Sequence, residues 1–335
     1  VLKGPQSAYF GRNTFGGAVN FITRNPGKEF RGQVTADFDE WSSNNASLSM
    51  EGPLVADQLS GRLSLLRFNK HGQYTANDRG KLGDEETFSV TGTLYATPSD
   101  SFWARLRVHY QEDEDGPSTT SQLSGGVDGT SCAGRTYQGR NNDGTPRTFA
   151  VSLPYFCSGI PSISDLGERN IVSSNTTLQS PLLAAAGLPN LLTNAFVGNS
   201  LNDPILADAP SLDHIGLKRE VLRIAGQAQY EFGNGITASL NLAWNKNDTN
   251  AIADPDRRDV ENVYTATPSL FEDKSAELRF ASGQDQRFRW LIGVNRYEGD
   301  FVANFNGSVI WQVPPIRPMA APFFPPRPPP LCARC

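Results

Sequence analysis

The chain has 335 residues, 38% of them hydrophobic, and a formal net charge of -5. This charge balance argues against nucleic acid as a partner, because a nucleic-acid-binding protein needs a basic surface. Nowhere do eighteen apolar residues follow one another, so the sequence predicts no transmembrane helix.

The first predicted element is a compact loop rich in glycine, followed by the short apolar strand 18–22. Gly-Pro sets a turn, and the later glycines permit positive φ or a close approach of two backbone segments. The loop also contains an aromatic-Gly-Arg step and a Gly-Gly pair, and the strand leads into Thr23-Arg24. The residues that mark this segment are Gly4, Pro5, Gly11, Arg12, Asn13, Gly16 and Gly17.

This combination resembles the end of the plug domain of TonB-dependent outer-membrane receptors. A second island, Ser275 to Ser282 followed by Trp290 to Val294, is similar to the mid-barrel hairpin of the same family. In that hairpin a Glu-Leu-Arg-x-Ala-Ser strand precedes a Trp-x-x-Gly strand. The two islands occur in family order, so the resemblance covers most of the chain.

Between these islands, alternation of polar and apolar residues predicts a series of β-strands. The predicted strands are 32–41, 45–54, 58–69, 86–97, 101–112, 219–232, 235–247, 272–282 and 287–301. Their length suits tilted strands that cross a bilayer, whereas strands of soluble sandwiches average about five or six residues. The predicted fold is all-β: an incomplete antiparallel transmembrane barrel, about nine strands of roughly 22 expected, preceded by the end of a plug domain.

The connections alternate in length along the chain. Those after the second, fourth, sixth and eighth strands are tight, and those after the third, fifth and seventh are long. Short periplasmic turns and long extracellular loops are typical of outer-membrane barrels. The first connection is short although it belongs to the loop side. Aromatic residues near strand ends are candidates for interfacial girdles, namely Trp41, Tyr74, Phe102, Tyr110, Phe232, Trp244 and Phe301.

The sequence predicts three regions. Residues 1–28 are the C-terminal part of the plug domain, and residues 29–304 are the N-terminal part of the barrel, with a long extracellular loop at 113–218. We expect the signal peptide, the coupling box that contacts TonB and the first part of the plug to lie outside this chain. The Pro-rich tail 305–335 cannot be a central strand. It favours a truncated or frame-shifted reading over a polyproline arm.

Motifs of catalysis and metal binding are scarce. No nucleophile elbow, phosphate-binding loop or dinucleotide fingerprint occurs, so we expect neither an enzyme nor a cofactor. The histidines His71, His109 and His214 lack ligand spacing, so we expect no metal site. The acidic run 112–115 is interpreted as a solvated loop edge.

Two cysteines of the long loop, Cys132 and Cys157, are candidates for a disulfide. An oxidising periplasm or cell exterior favours joining them, with a stabilisation of about 3 kcal/mol for a loop of this length. The alternative is a pair of free thiols. The loop itself is either a ligand-binding element or indifferent to ligand.

The resemblance implies a receptor in the bacterial outer membrane that binds a scarce solute, with a ferric siderophore as the first choice, and imports it with energy from the TonB complex. If the strand parity holds, the residues that face the lumen are Arg105, Arg107, His109, Arg223, Gln227, Asn241 and Arg279. The arginines suit an anionic ligand or salt bridges with plug carboxylates. Arg12 is a candidate for an ion pair within the plug or with the barrel.

Two other classes remain open at this stage. A passive outer-membrane porin or adhesin would lack the plug motif. A soluble carbohydrate-binding β-protein would lack the long strands, and its long loops would not all lie on one side of the sheet.

Overall fold

Nine long strands follow one another along the chain and form one antiparallel sheet in the computed structural model. The structure describes residues 2–4, 16–18, 23–76, 78–123, 134–141, 143–150, 171–173, 176, 204–255, 263–283 and 285–309. The strands are β1 (Arg31–Phe38), β2 (Asn44–Val55), β3 (Leu59–Lys70), β4 (Glu85–Ser99), β5 (Phe102–Asp115), β6 (Gly216–Glu231), β7 (Thr237–Ala253), β8 (Ser269–Ala281) and β9 (Leu291–Ala303). The predicted all-β antiparallel fold is confirmed, and every predicted strand corresponds to one of the nine.

Each long strand pairs with its neighbours in the chain, so the sheet is a meander that does not close on itself. The connections at one end are residues 56–58, 100–101, 232–236 and 282–290. The connections at the other end are residues 39–43, 71–84, 116–215 and 254–268. Two tight turns use left-handed backbone, at Asp57 with φ 56° and at Gly235 with φ 77°. The two ends are called the turn end and the loop end below.

Shorter elements lie at both ends of the sheet. The described parts of the glycine-rich segment, Leu2–Lys3 and Gly17–Ala18, pair as a small antiparallel ladder. Other short strands pair as Tyr74–Thr75 with Lys81–Leu82, Ser121–Leu123 with Ile171–Ser173, and Thr136–Arg140 with Pro146–Ala150. One helical turn, α1, spans Pro204–Asp208. None of the described helices is long and apolar enough to cross a membrane.

The hairpin of β8 and β9 continues past a break at its loop end. Strand Val263–Ala266 pairs with the end of β7 and with strand Asn306–Val309. Pro268 lies in the break and has no N–H for the ladder. Its carbonyl accepts a hydrogen bond of 3.1 Å from the Asn304 N–H. The predicted tail therefore begins with a paired strand, and residues 310–335 lie outside the described part of the chain.

The register gives the sheet one apolar and one polar face. On the apolar face of β5 lie Phe102, Ala104, Leu106, Val108 and Tyr110. In register beside them are the leucines, valines, alanines and glycines of the neighbouring strands. Many of these side chains are exposed, and Leu106 keeps 44% of its surface open. An exposed apolar band of this extent is typical of a surface that contacts lipid.

The apolar band slopes across the strands. Towards the loop end, the first charged residue on this face is Glu86 on β4, Glu112 on β5, Glu220 on β6, Lys246 on β7, Lys274 on β8 and Arg296 on β9. Followed through the register from β4 to β9, this boundary moves towards the turn end, from the row of Glu114 to the row of Leu106. The descent is about 26 Å along the strands over about 24 Å across them, so the strands are tilted to the band by roughly 45°. Strands of outer-membrane barrels have tilts close to this value.

Aromatic residues border the band at both margins, as predicted for several of them. Tyr110 and Trp244 lie at the loop-end margin, and Tyr230 lies beside Phe102 at the turn end. The ring of Phe232 packs edge-on against Tyr230 with 4.8 Å between ring centroids. Phe301 differs from the prediction, because its register partner Phe271 places it on the polar face.

Beyond the charged boundary, part of the long loop packs on the outside of the sheet. Leu206, Leu212 and Ile215 are buried against Ile252 and Tyr264, close to the end of β7. The Asn250 side-chain amide donates a hydrogen bond of 3.2 Å to the Pro210 carbonyl and holds this segment down. The strands β6 and β7 therefore continue past the apolar band as a wall that carries loop structure.

Candidate functional site

The polar face of the sheet is the candidate functional site, because all seven residues predicted to face the lumen lie on it. Arg105, Gln227 and Asn241 are in one row of the register, and His109 is paired with Arg223. Arg107 lies between the two rows, and Arg279 pairs with Ser239 on the same face. The register thus brings these seven residues together, although they come from four different strands.

Four of the seven bond to one another or to Glu277. Arg279 forms an ion pair of 2.7 Å with Glu277, which also accepts a hydrogen bond of 3.4 Å from the Asn241 amide. Arg105 donates to the Gln227 side-chain carbonyl. The charge of Arg279 is therefore balanced, and Arg105 is held by polar neighbours.

Of the other three, Arg107 and Arg223 form a more open cationic area beside His109. Arg223 donates from Nε to the Asn245 Oδ1 atom at 3.0 Å, and the His109 Nδ1 atom lies 2.8 Å from the Thr91 hydroxyl. Within the described residues, neither Arg107 nor Arg223 forms an ion pair with a carboxylate. Both guanidinium groups retain donors for an anionic partner.

At the turn end, the segment that leads from the glycine-rich loop into β1 lies against the polar face. Arg105 Nη1 donates to the Thr23 carbonyl at 3.2 Å and to the Asn25 side-chain oxygen at 3.1 Å. The Ser60 hydroxyl donates to the carbonyl of Pro26 at 3.1 Å, and Pro26 itself is buried. Side chains of β3 and β5 therefore form hydrogen bonds with the same short segment, residues 23–26.

Glu51 is the charged centre of this junction. Its side chain is only 4% exposed and lies between Arg24 and Arg62, with Arg24 Nη2 at 2.7 Å and Arg62 Nε at 2.7 Å. Arg62 also donates to the carbonyl oxygen of Arg24 at 3.2 Å. A buried carboxylate with two guanidinium partners keeps its charge compensated.

Sequence reasoning did not find Glu51, Arg24 or Arg62 as site residues. A partial signal was available, since Glu51 and Arg62 both lie on the polar parity of their strands. Counting outward from the turn does not pair them, because a register shift between Pro53 and Val55 moves Arg62 opposite Glu51. Arg24 had no such signal, because its position depends on the path of an irregular segment.

The interpretation of residues 112–115 as a solvated loop edge was wrong. They are the last four residues of strand β5. Asp113 is buried and forms an ion pair of 2.7 Å with Arg219. The Thr87 hydroxyl donates to the same carboxylate at 2.8 Å. β5 and β6 continue as paired strands through this acidic stretch, which is why it is not a loop.

A cavity of about 370 Å³ lies at the loop end, between β3, β4 and the start of the long loop. Lys70, Lys81, His71 and His214 line it together with several carboxylates, so its charge is mixed. Next to it, a hydrogen bond of 3.0 Å between His214 and Asp213 lowers the pKa of the Asp213 carboxyl. Within the described part of the chain, no three His, Cys, Asp or Glu side chains are grouped to hold a metal ion.

Several predicted site residues lie outside the described residues and stay predictions. They are Pro5, Gly11, Arg12, Asn13, Cys132 and Cys157. Gly4 and Gly17, which are described, adopt φ values of 83° and 140°. These left-handed values explain why glycine occurs there.

Comparisons with known proteins point to one family, although no family model matches the chain. Over 69 residues the chain is 41% identical to a probable TonB-dependent siderophore receptor, PirA of Acinetobacter baumannii, and this match covers 19% of the chain and 9% of that protein. Over 105 residues it is 27% identical to the pesticin receptor of Yersinia pestis, which covers 31% of the chain and 16% of that receptor. The predicted resemblance to TonB-dependent receptors is confirmed.

Two solved structures of bacterial receptors share the fold. The ferric yersiniabactin uptake receptor FyuA of Yersinia pestis superposes with a TM-score of 0.58 at 14% identity, over 92% of this chain and 36% of that chain. The siderophore receptor PiuA of Acinetobacter baumannii gives a TM-score of 0.53 at 12% identity, over 92% and 36%. The chain therefore spans only a minor part of the length of these receptors.

Proposed function

We propose that this chain is part of a receptor that binds a ferric siderophore at the cell surface and imports it across the bacterial outer membrane with energy from the TonB complex. In this proposal residues 1–28 belong to the plug and residues 29–304 to the barrel. The observation that carries the proposal is the two-faced sheet: a tilted apolar band on one side, and polar residues with a docked connecting segment on the other. The relatives are named as receptors, and import makes and breaks no bond in the solute.

Location in the outer membrane is supported by the slope of the apolar band. A soluble carbohydrate-binding protein would cover such a band with a second layer, and no described element packs on it below the charged boundary. The loop segment 204–215 packs on that side, but beyond the boundary. Lipid is therefore the partner of the apolar face.

An open porin is disfavoured by the junction at the turn end. A porin needs a clear lumen, whereas the segment from Thr23 to Pro26 lies on the polar face and leads back to a paired ladder at residues 2–3 and 17–18. A chain segment held inside the wall in this way suits a plugged barrel. TonB is proposed to act on that plug through a coupling box outside this chain.

The ligand is proposed to be anionic because of the cationic area on the polar face. Arg107 and Arg223 lack carboxylate partners among the described residues, and a ferric complex with carboxylate or catecholate groups carries negative charge. Plug carboxylates are the alternative partners of these two arginines. The long loop between β5 and β6, residues 116–215, is proposed to contribute to ligand capture.

The proposal is tested by measuring radioactive iron uptake in cells that lack their own siderophore receptors and carry the full-length protein. A panel of ferric hydroxamate, catecholate and carboxylate siderophores is supplied at nanomolar concentration. We expect saturable accumulation of at least one complex, abolished by deletion of TonB or by a protonophore. Accumulation that persists without TonB would contradict active import and favour the porin.

A further inference from the structure

Glu51 is a buried charge whose role the import function does not explain. It lies on the polar face in the same register row as Arg107, three strands away, and its two oxygens are occupied by Arg24 and Arg62. Removing a carboxylate from this position would leave Arg62, which is 18% exposed, without its counter-charge. Burying the charges of Glu51 and Arg62 costs desolvation free energy, so we expect this ion pair to have a structural role.

The partners of Glu51 come from two different parts of the chain. Arg62 belongs to the adjacent strand β3, whereas Arg24 belongs to the segment before β1. The side chain of Arg24 is 66% exposed, so burial alone does not hold it in place. Its attachment depends on Glu51 and on the bond from Arg62 to its carbonyl oxygen.

A second set of hydrogen bonds to the same segment comes from β5. Arg105 binds the carbonyl of Thr23 and the side chain of Asn25, and its other nitrogen is fixed by Gln227 of β6. Ser60 binds the carbonyl of Pro26 from β3. Four consecutive residues are thus bonded to side chains of the sheet, through interactions that do not depend on the rest of the glycine-rich loop.

We propose that residues 23–26 are an anchor that fixes the C-terminal end of the plug to the inner wall, with Glu51 and Arg105 as its two positioning residues. This proposal rests on the proposed arrangement of barrel and plug. It implies that the connecting segment stays on the wall when the plug in front of it is rearranged. Arg105 then acts on the chain itself rather than on the solute.

The anchor is tested by limited trypsin digestion of the full-length receptor in detergent micelles, which leave both ends of the barrel open to the protease, without siderophore or TonB. The bond between Arg24 and Asn25 is followed by mass spectrometry, because trypsin cuts there only when the segment leaves the wall. Cleavage of this kind tracks the population of the open form. We expect Glu51→Gln and Arg105→Gln each to speed this cleavage at least about tenfold over the unaltered receptor.

Matched controls use the exposed ion pair of Arg67 and Glu86, which joins β3 and β4 on the apolar face. Glu86→Gln and Arg67→Gln make the same chemical changes and are expected to leave the cleavage rate unchanged. If the Glu51→Gln receptor does not assemble, Arg105→Gln still tests the anchor, because this second variant leaves Glu51, Arg24 and Arg62 in place. Equal cleavage in the unaltered receptor and in Arg105→Gln would overturn the anchor.

The outcome is separable from that of the import proposal. Protection of the bond is measured without ligand or energy, so it can be found in a receptor that shows no iron uptake. TonB-dependent uptake by a receptor in which the bond is cut freely would support import and refute the anchor.

Discussion

Replacing Leu106 by arginine is expected to destabilise the full-length receptor by about 2–4 kcal/mol, because the charge would enter the lipid near the middle of the apolar band. Leu106 lies on the apolar face with Leu94 and Gly226 as its register partners. The cost is measured from folding titrations in urea with lipid vesicles.

The slope of the band provides a matched control in the same row of the register. Ala276 is linked to Leu106 through Gly226 and Leu242, but on the apolar face of its strand it is the last uncharged residue before Lys274. Ala276→Arg is therefore expected to cost only about 0–1 kcal/mol, as for a position near the interface. Ser64→Arg, on the polar face, is expected to be tolerated. Equal costs for Leu106→Arg and Ser64→Arg would contradict the assignment of the two faces.

The 335-residue chain expressed by itself is expected to show no insertion into vesicles and no iron uptake. The sheet has two unpaired edges, at β1 and β9, and both strands are exposed along almost their whole length. A bilayer core contains no water to satisfy the N–H and C=O groups of an open edge. Each unsatisfied group would cost several kcal/mol, so a half-open sheet cannot remain in lipid.

Protease protection and heat-dependent mobility on a gel measure this outcome, with the full-length receptor in the same vesicles as the control. We expect a protected, heat-modifiable band from the full-length protein alone. A protected band from the short chain would mean that it closes its edges without further strands.

The strands could be predicted because their signal is local. Along β5, for example, polar and apolar residues alternate within a single segment. This alternation alone assigns Arg105, Arg107 and His109 to the same face. Pairing of neighbours in a meander then brought Arg223 and Gln227 to the same face. The prediction of one polar face therefore needed no knowledge of distant contacts.

Features that depend on register between distant strands could not be predicted. The slope of the apolar band appears only when Glu86 and Arg296 are compared across five pairings. Packing of Leu206 and Leu212 on the outside of the sheet was missed, because it depends on contacts with Ile252 and Tyr264 much further along the chain. The anchor was missed because the path of residues 23–26 is set by partners on β2, β3 and β5.

The most direct test of the account is a scan of single cysteines through positions 103–108 of β5 in the full-length receptor. Each cysteine carries a fluorescent probe, and nitroxide-labelled lipids quench the probes that face the bilayer. We expect strong quenching at 104, 106 and 108 and weak quenching at 103, 105 and 107, because successive residues of a strand point to opposite faces. Quenching without this alternation, or with the opposite parity, would contradict a barrel wall with lipid on one side and the plug on the other.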